Sequence, residues 1–263
     1  MGFEIVHGNP QLIWAPIVYQ DTIYVGQLVA CQTNEGVVPL GAASGAVDTT
    51  GKSIPFGVVV GTNNRNPLFN ATYNTQYITD ATPLASTTEF IGVEGPFGKG
   101  EQRAMVQIAL IDPTTIIRGQ IFNAAFGTAM AIGTVTTGDA NGVSCTTNTL
   151  VASTAQQATI YFRSGANKGS YRILDNSSAT AQTWDTPTYA AVAVGDTCVK
   201  APVRCLGPSY IDFEATESMY VAAEATYATN YFVVDVVRLD LSVAGKEYVD
   251  FKFNVDHFAQ ARA

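Results

Sequence analysis

Apolar and polar residues alternate along this chain with period two far more often than with the three-to-four spacing of a helix. Near the carboxyl end, Tyr248-Val249-Asp250-Phe251-Lys252-Phe253-Asn254-Val255 sends Val249, Phe251, Phe253 and Val255 one way. Asp250, Lys252 and Asn254 point the other way, as in a strand with one buried face. Upstream, Val237, Leu239, Leu241 and Val243 alternate with Arg238, Asp240 and Ser242. The link Ala244-Gly245-Lys246-Glu247 is short, so the two runs predict an antiparallel hairpin that closes the chain. Residues 22–31 and 102–111 predict further strands. Residues 54–61 are apolar throughout, which predicts a strand buried on both faces. Asn141-Gly142 is a type I′ turn signal between strands at 132–136 and 143–150. Ser164-Gly165-Ala166-Asn167 joins residues 158–162 to 169–174 as another hairpin.

Helical periodicity is thin. Residues 214–228, rich in Ala and Glu, predict at most a short helix or a bent strand. A short pattern recurs: Tyr24-Val25-Gly26-Gln27, Ile117-Arg118-Gly119-Gln120 and Ala193-Val194-Gly195-Asp196. Each places Gly and a polar residue between apolar stretches, as at a turn or bulge re-entering a strand. Either these mark duplicated small barrels, or they are common turn dipeptides. Two long loops are expected, at 62–88 and 177–188, carrying Phe69, Tyr73, Tyr77 and Trp184. Aromatics on long loops either meet a partner or fold back over a barrel end.

The fold class expected is all-β: small β-barrel or β-sandwich units of short antiparallel strands with long loops and little helix. Three units are expected. An N-terminal arm and barrel-like domain covers 1–115, a second β domain or insertion covers 116–206, and a C-terminal hairpin segment at 207–263 packs on one of them.

Composition narrows this picture. Only 14% of the 263 residues are charged, while 47% are hydrophobic. Ordinary globular chains carry about 25% charge. Disorder is excluded, because it requires low hydrophobicity with high charge. No apolar run is long enough for a spanning helix. The amino terminus lacks a basic stretch followed by an apolar core, so no signal peptide is expected. The net charge is −8, with nine acids against four bases in residues 207–263, and no basic patch favours nucleic acid.

Chemistry is sparse. His7 and His257 lie near opposite ends, with no nucleophile elbow or phosphate loop between them. Gly138-Asp139-Ala140-Asn141-Gly142 lacks the leading acid and bidentate Glu of a calcium loop. Glu214 and Glu217 read as surface acids. Cys31, Cys145, Cys198 and Cys205 have no zinc spacing. Either Cys198 and Cys205 face each other across a hairpin, or all four thiols act as small hydrophobes. No catalytic, cofactor or metal residues are assigned, and an enzyme is not expected.

Several stretches resemble structural proteins of tailed bacteriophages, capsid decoration (cement) proteins above all. Gly26-Gln27-Leu28-Val29, Val37-Val38-Pro39-Leu40 and Gly57-Val58-Val59-Val60-Gly61 are similar to the small barrel of such proteins. Tyr161-Phe162-Arg163-Ser164-Gly165-Ala166-Asn167-Lys168-Gly169-Ser170-Tyr171-Arg172, followed by Val194-Gly195-Asp196, is similar to a hairpin of phage virion proteins. The resemblance implies a structural protein on the outer capsid surface, made in the host cytoplasm. Its partners would be the major capsid protein and its own copies, as a homotrimer, with no membrane or nucleic acid. The six lysines and the Thr, Ala and Gly-rich composition suit a chain buried against neighbours. Residues 1–20, with Ile13, Trp14, Ile17 and Tyr19, are either a docking arm or an ordinary first strand. With Phe69, Tyr73, Tyr77 and Trp184 they form the candidate interface. Alternatives are a tail tube, fibre base or head–tail element, or a carbohydrate-binding sandwich stacking sugars on Trp184, Tyr189 and Tyr73.

Overall fold

The alternating segments pair into antiparallel sheets, and the chain is all-β. The computed structural model describes residues 2–17, 22–32, 36–40, 55–62, 71–73, 77–80, 94–95, 98–99, 105–122, 130–148, 150, 158–213, 219–222 and 232–254. Three large sheets carry the architecture. The central sheet runs Glu4–His7, Ile116–Phe122, Tyr248–Phe253, Phe232–Asp240, Gly207–Ile211, and Val221–Ala222 adds a parallel pairing to Ile116–Phe122. The N-terminal sheet runs Leu12–Pro16, Met105–Leu110, Pro55–Thr62, Leu28–Gln32, Gly36–Pro39. It curls until its ends meet at a parallel bridge from Ile17 to Val37. The middle sheet runs Tyr171–Ile173, Thr159–Phe162, Thr197–Ala201, Gly133–Thr137, Ser144–Thr147, Ala181–Thr183, Asn176–Ser177. Its first and last strands are consecutive in the chain, so it curls as well. Strand pairing cuts across the expected units, because Ile116–Phe122 joins the first strand of the chain to the closing hairpin.

One core serves all three sheets. Leu28, Ala30, Val38 and Val58 of the N-terminal sheet meet Tyr161, Val199 and Ala201 of the middle sheet. The central sheet adds Ile117, Ile121, Val234, Val249, Phe251 and Phe253. Phe3 stacks edge-on against Phe213 at 5.4 Å and Phe251 at 6.2 Å between ring centres. Each curled sheet also encloses its own smaller core. The N-terminal one holds Ile17, Ile23, Val29, Val37, Val59, Val106 and Ile108. The middle one holds Val135, Cys145, Ile160, Phe162, Trp184 and Cys198. In Pro55–Thr62, Val58 faces the shared core and Val59 the N-terminal core, so the strand is buried on both faces there, while Val60 beyond them is exposed.

Several local expectations change. The closing hairpin forms, but Val237 and Val243 are exposed while Val236 and Leu239 are buried. A β-bulge between Val236 and Arg238 adds a residue to one strand and reverses the inward–outward parity of the residues after it. Residues 22–31 are two strands, Thr22–Tyr24 and Leu28–Gln32, separated by a tight turn at Gly26. Asn141-Gly142 does end a hairpin, but Gly142 N–H closes on Asp139 O, which centres the turn on Ala140-Asn141 and leaves Gly142 at φ +67°. That is a turn followed by a left-handed residue rather than type I′. Within 214–228 only residues 219–222 are described, and Val221–Ala222 is a strand. All four cysteines are thiols, so Cys198 and Cys205 are not bridged.

The recurring Gly-polar pattern separates into two kinds. At Gly119 it lies inside a continuous strand, where a Cβ would lie 2.8 Å from Val221. At Gly26 and Gly195 it forms the same turn. Gln27 N–H donates to Tyr24 O, and Asp196 N–H to Ala193 O, at 3.1 and 3.2 Å. The side chains return the bond: Tyr24 N–H donates to Gln27 Oε1 and Ala193 N–H to Asp196 Oδ2. Each turn then clasps a valine of the neighbouring strand. Gly26 N–H and Gln27 O hold Val59, and Gly195 N–H and Asp196 O hold Val135. The register continues alike, with Val29 opposite Gly57 and Cys198 opposite Gly133. Gly supplies the positive φ, +85° and +93°, that such a turn requires at its third position.

Candidate functional site

The segment expected to dock, residues 1–20, contributes two strands to the fold. Leu12–Pro16 is a strand of the N-terminal sheet, paired along its length with Met105–Leu110. Its side chains alternate. Ile13 and Ala15 face the N-terminal core, and Ile17 beyond them is fully buried there. Leu12 and Trp14 face out and remain 54% and 46% exposed. Glu4–His7 is likewise built into the central sheet. Residues 2–17 are therefore the ordinary first strands of the fold and not a detachable arm. Removing them would take Phe3 and Ile17 from two cores.

The other predicted interface residues scatter. Tyr73 and Tyr77 sit at the facing ends of Ala71–Tyr73 and Tyr77–Asp80, and Tyr77 pairs with Tyr24. Tyr19 and Phe69 lie outside the described residues, as does His257. Trp184 is internal, only 2% exposed. It packs edge-on against Phe162 at 5.9 Å and donates its indole N–H to Gly142 O at 2.8 Å. An indole fixed inside a core offers no face to a sugar, so the stacking platform is not assembled. Tyr189, by contrast, is 91% exposed.

Tyr189 belongs to a loop cluster at one end of the middle sheet that sequence reasoning did not recognise as a unit. Three loops meet there: 138–143, 163–170 and 184–196. Buried Asn167 ties two of them, donating from Nδ2 to Ala190 O and Ala191 O and accepting Ala190 N–H at its Oδ1. Thr188 Oγ1 donates to Ala190 O at 2.7 Å, and Thr188 N–H donates to Gly142 O. Asp139 and Val192 exchange both backbone bonds. The Asp139 carboxylate accepts N–H groups from Val143, Asn141 and Ser144, which hold it below the usual carboxylate range. Asn167, Thr188 and Asp139 are spent on the loops themselves, and the exposed residues include Gly165, Ala166, Ala191, Ala193, Val194 and Tyr189 beside Asn141, Lys168 and Asp185, with Val194 70% exposed. Rigid loops presenting one large aromatic are suited to recognition of another protein.

A latch holds the middle sheet to the closing hairpin. Arg163 donates from Nε and Nη2 to Leu241 O and pairs with buried Glu247 at 2.5 Å. Tyr171 Oη accepts Leu241 N–H at 3.3 Å. The outward face of the central sheet is paired by charge. Glu4, Arg118, Asp250 and Arg238 lie opposite one another across four strands. Arg118 grips Asp250 through two bonds, 2.7 and 2.9 Å, and lies over the Tyr248 ring at 4.1 Å.

Several titratable groups elsewhere among the described residues are shifted by their surroundings. Burial pushes the Lys200 ammonium down to about 8, and Nζ donates to Ser178 O at 3.1 Å. Burial raises the Cys145 and Cys198 thiols to about 12, which leaves them unreactive. Burial also lifts Asp212 to about 6, against a lowering bond from Phe213 N–H. A hydrogen bond from Asp185 raises Asp175 on the surface. Among the described residues no three His, Cys, Asp or Glu side chains are grouped to hold a metal ion. No family model matches this chain, and neither a curated protein nor a solved structure is similar to it.

Proposed function

We propose that the chain is a structural virion protein that binds the outer surface of a tailed-phage capsid and stabilises it as a symmetric oligomer. The observation that carries this reading is the pair Leu12 and Trp14. Both are large apolar side chains held out to solvent on a strand fixed by its partner and by the core behind it. Rigid apolar anchors lose little conformational entropy on binding. Repeated around a symmetry axis, individually weak contacts add up through avidity. The sparse charge and few lysines support the same reading. The major capsid protein and further copies of this chain, arranged as a homotrimer, are the partners it implies.

Replacing Leu12 and Trp14 together by Ser tests the proposal. The side chains are exposed, so thermal stability should change little. On virions assembled with the doubly substituted chain, copy number measured by mass spectrometry should fall at least tenfold. Unchanged copy number on the shell would overturn the role of this strand. Electron cryomicroscopy of the particles separates the shell from the tail tube, fibre base and head–tail positions.

A further inference from the structure

The two equivalent turns differ in one respect: one is covered and the other is bare. Over the Gly26 turn lies the chain's own beginning. Phe3 N–H donates to Gly26 O at 2.6 Å. The backbones touch so closely that a Cβ on Gly2 would fall 2.5 Å from Gly26 O, and one on Gly26 would fall 2.9 Å from Gly2 Cα. Phe3 then turns into the shared core. Beneath this cover Gly26 and Gln27 are buried and Val25 is half-buried.

At the Gly195 turn every bond within the turn and to its neighbouring strand is reproduced, but no described residue lies above it. Among the described residues, none beyond its two chain neighbours has an atom within 4 Å of where a Cβ on Gly195 would stand. Among the described residues no donor reaches Gly195 O. Val194, the counterpart of Val25, is largely exposed. Gly165 packs against the Asp196 carboxylate and Asn167 secures Ala190 and Ala191, so the rigid loops that present Tyr189 adjoin the bare turn.

We infer that the Ala193–Asp196 turn is a receptor for an extended polypeptide segment of a partner protein, a glycine followed by an aromatic residue. The segment would enter as Gly2-Phe3 enter on Gly26, giving a backbone N–H to Gly195 O and packing its side chain on Val194 and Tyr189. The chemistry of the occupant comes from the chain itself, which places such a segment on the one other turn, among the described residues, whose fourth side chain bonds back to the first N–H. The Asn167–Ser170 turn clasps Phe162 in the same way but lacks that bond and carries exposed Lys168 where these two carry valine. The glycine is required because the two backbones must approach more closely than a Cβ allows. The aromatic residue replaces water over exposed Val194. This inference does not depend on the virion role and fails or stands separately from it.

The test uses the full-length chain labelled with nitrogen-15 and a synthetic peptide of its residues 1–6, Met-Gly-Phe-Glu-Ile-Val. Titration should shift the amide signals of Val194, Gly195 and Asp196 saturably. Val194→Asp and, separately, Tyr189→Ala should weaken binding at least tenfold, with melting temperature unchanged because both side chains are exposed. Peptides with Val in place of the glycine, or Ala in place of the phenylalanine, should bind at least tenfold more weakly. Absence of shifts at the turn up to millimolar peptide would overturn the inference. So would shifts confined to Phe3 and Gly26, which would mean that the peptide only displaces the chain's own first strand. Equal binding of the glycine-substituted peptide would refute the backbone approach.

Discussion

The N-terminal and middle sheets share a three-strand unit but assemble it from opposite chain orders. In the first, Leu28–Gln32, Gly36–Pro39 and Pro55–Thr62 follow one another, and the earliest strand lies between the other two. In the second, the equivalents are Thr197–Ala201, Thr159–Phe162 and Gly133–Thr137, and the latest strand lies between them. Tandem duplication would keep the order and circular permutation would rotate it. Reversal is neither. The shared geometry therefore comes from the turn and the pairing rather than from a copied segment. A Val-Gly-polar sequence closes the turn, and the twist of antiparallel strands does the rest.

The interiors of the two sheets differ. Among the described residues the fully buried part of the N-terminal core is Ile, Val and Ala, with half-buried Ile13, Phe56 and Leu110 packed against it. The middle core mixes Phe162, Trp184, Cys145 and Cys198, and beside it Gln182 and Lys200 are buried. Gln182 Oε1 has no hydrogen-bond partner there. An aliphatic interior is packed to close contact, whereas the mixed one has longer side chains that can give way.

The equivalent glycines of the clasped strands test this most strongly. A Cβ on Gly57 would collide with Ile108 and stand 2.7 Å from Ala109 O, a backbone atom that cannot move alone. The nearest atoms to a Cβ on Gly133 belong to the Leu150 side chain, whose Cδ2 lies at 2.5 Å and can rotate. Gly57→Ala should cost about 3 kcal/mol and Gly133→Ala about 1 kcal/mol in urea unfolding. Equal costs would show that the two interiors are packed alike.

The turn glycines sharpen the same comparison. Alanine is strained at both, by about 1 kcal/mol, because both have positive φ. Only Gly26 also meets a backbone, so Gly26→Ala should lower stability by about 2 kcal/mol and Gly195→Ala by about half as much. A reversed ranking in thermal melts would mean that the Gly195 turn is covered within the chain.

The smallest effect lies at Lys200. Burial depresses its folded value to about 8 from the ordinary 10.5, so the unfolded chain binds more protons between these values. Stability contributed by this residue should rise with pH across that window, and the penalty is complete below pH 8. Lys200→Met should stabilise the protein by about 1 kcal/mol at pH 7, and the gain should vanish near pH 10.5. A pH-independent difference between the two melting curves would place the ammonium in water.

Much of the strand content was legible because side-chain alternation reports directly on a half-buried sheet. Tyr248–Phe253 and Thr159–Phe162 stand where the pattern places them. The misreadings share one cause. At Val237 a bulge moved the parity, and a bulge is set by the partner strand, which local sequence does not contain. Trp184 looked like a loop aromatic because its neighbours are Ser, Thr and Ala. Only the fold brings Gly142 O and Phe162 to it. Tyr189, two residues past Pro187, was read only as part of a stacking platform with Trp184 and Tyr73, because the bonds that fix its loop come from Asn167 and Gly142, which local sequence does not contain. Ile13, Trp14 and Ile17 were read together as one interface stretch; only pairing with Met105–Leu110 over the core turned Trp14 and Leu12 out and Ile13 and Ile17 in.

By itself the sequence determined the class of the fold and the position of most strands, because these depend on residues adjacent in the chain, while the Gly-polar pattern became a turn at Gly26 and Gly195 and a continuous strand at Gly119. The tertiary structure decided which strands became neighbours, joining residues 4–7 to 116–122 and these to 248–253. It decided that the Gly26 turn is covered and the Gly195 turn is bare, since the cover comes from Gly2 and Phe3, more than twenty residues before the first and nearly two hundred before the second. The physical reason is the same in each case. A backbone or side-chain group is satisfied by whatever the packed chain brings within reach, and that reach is a matter of space and not of sequence distance.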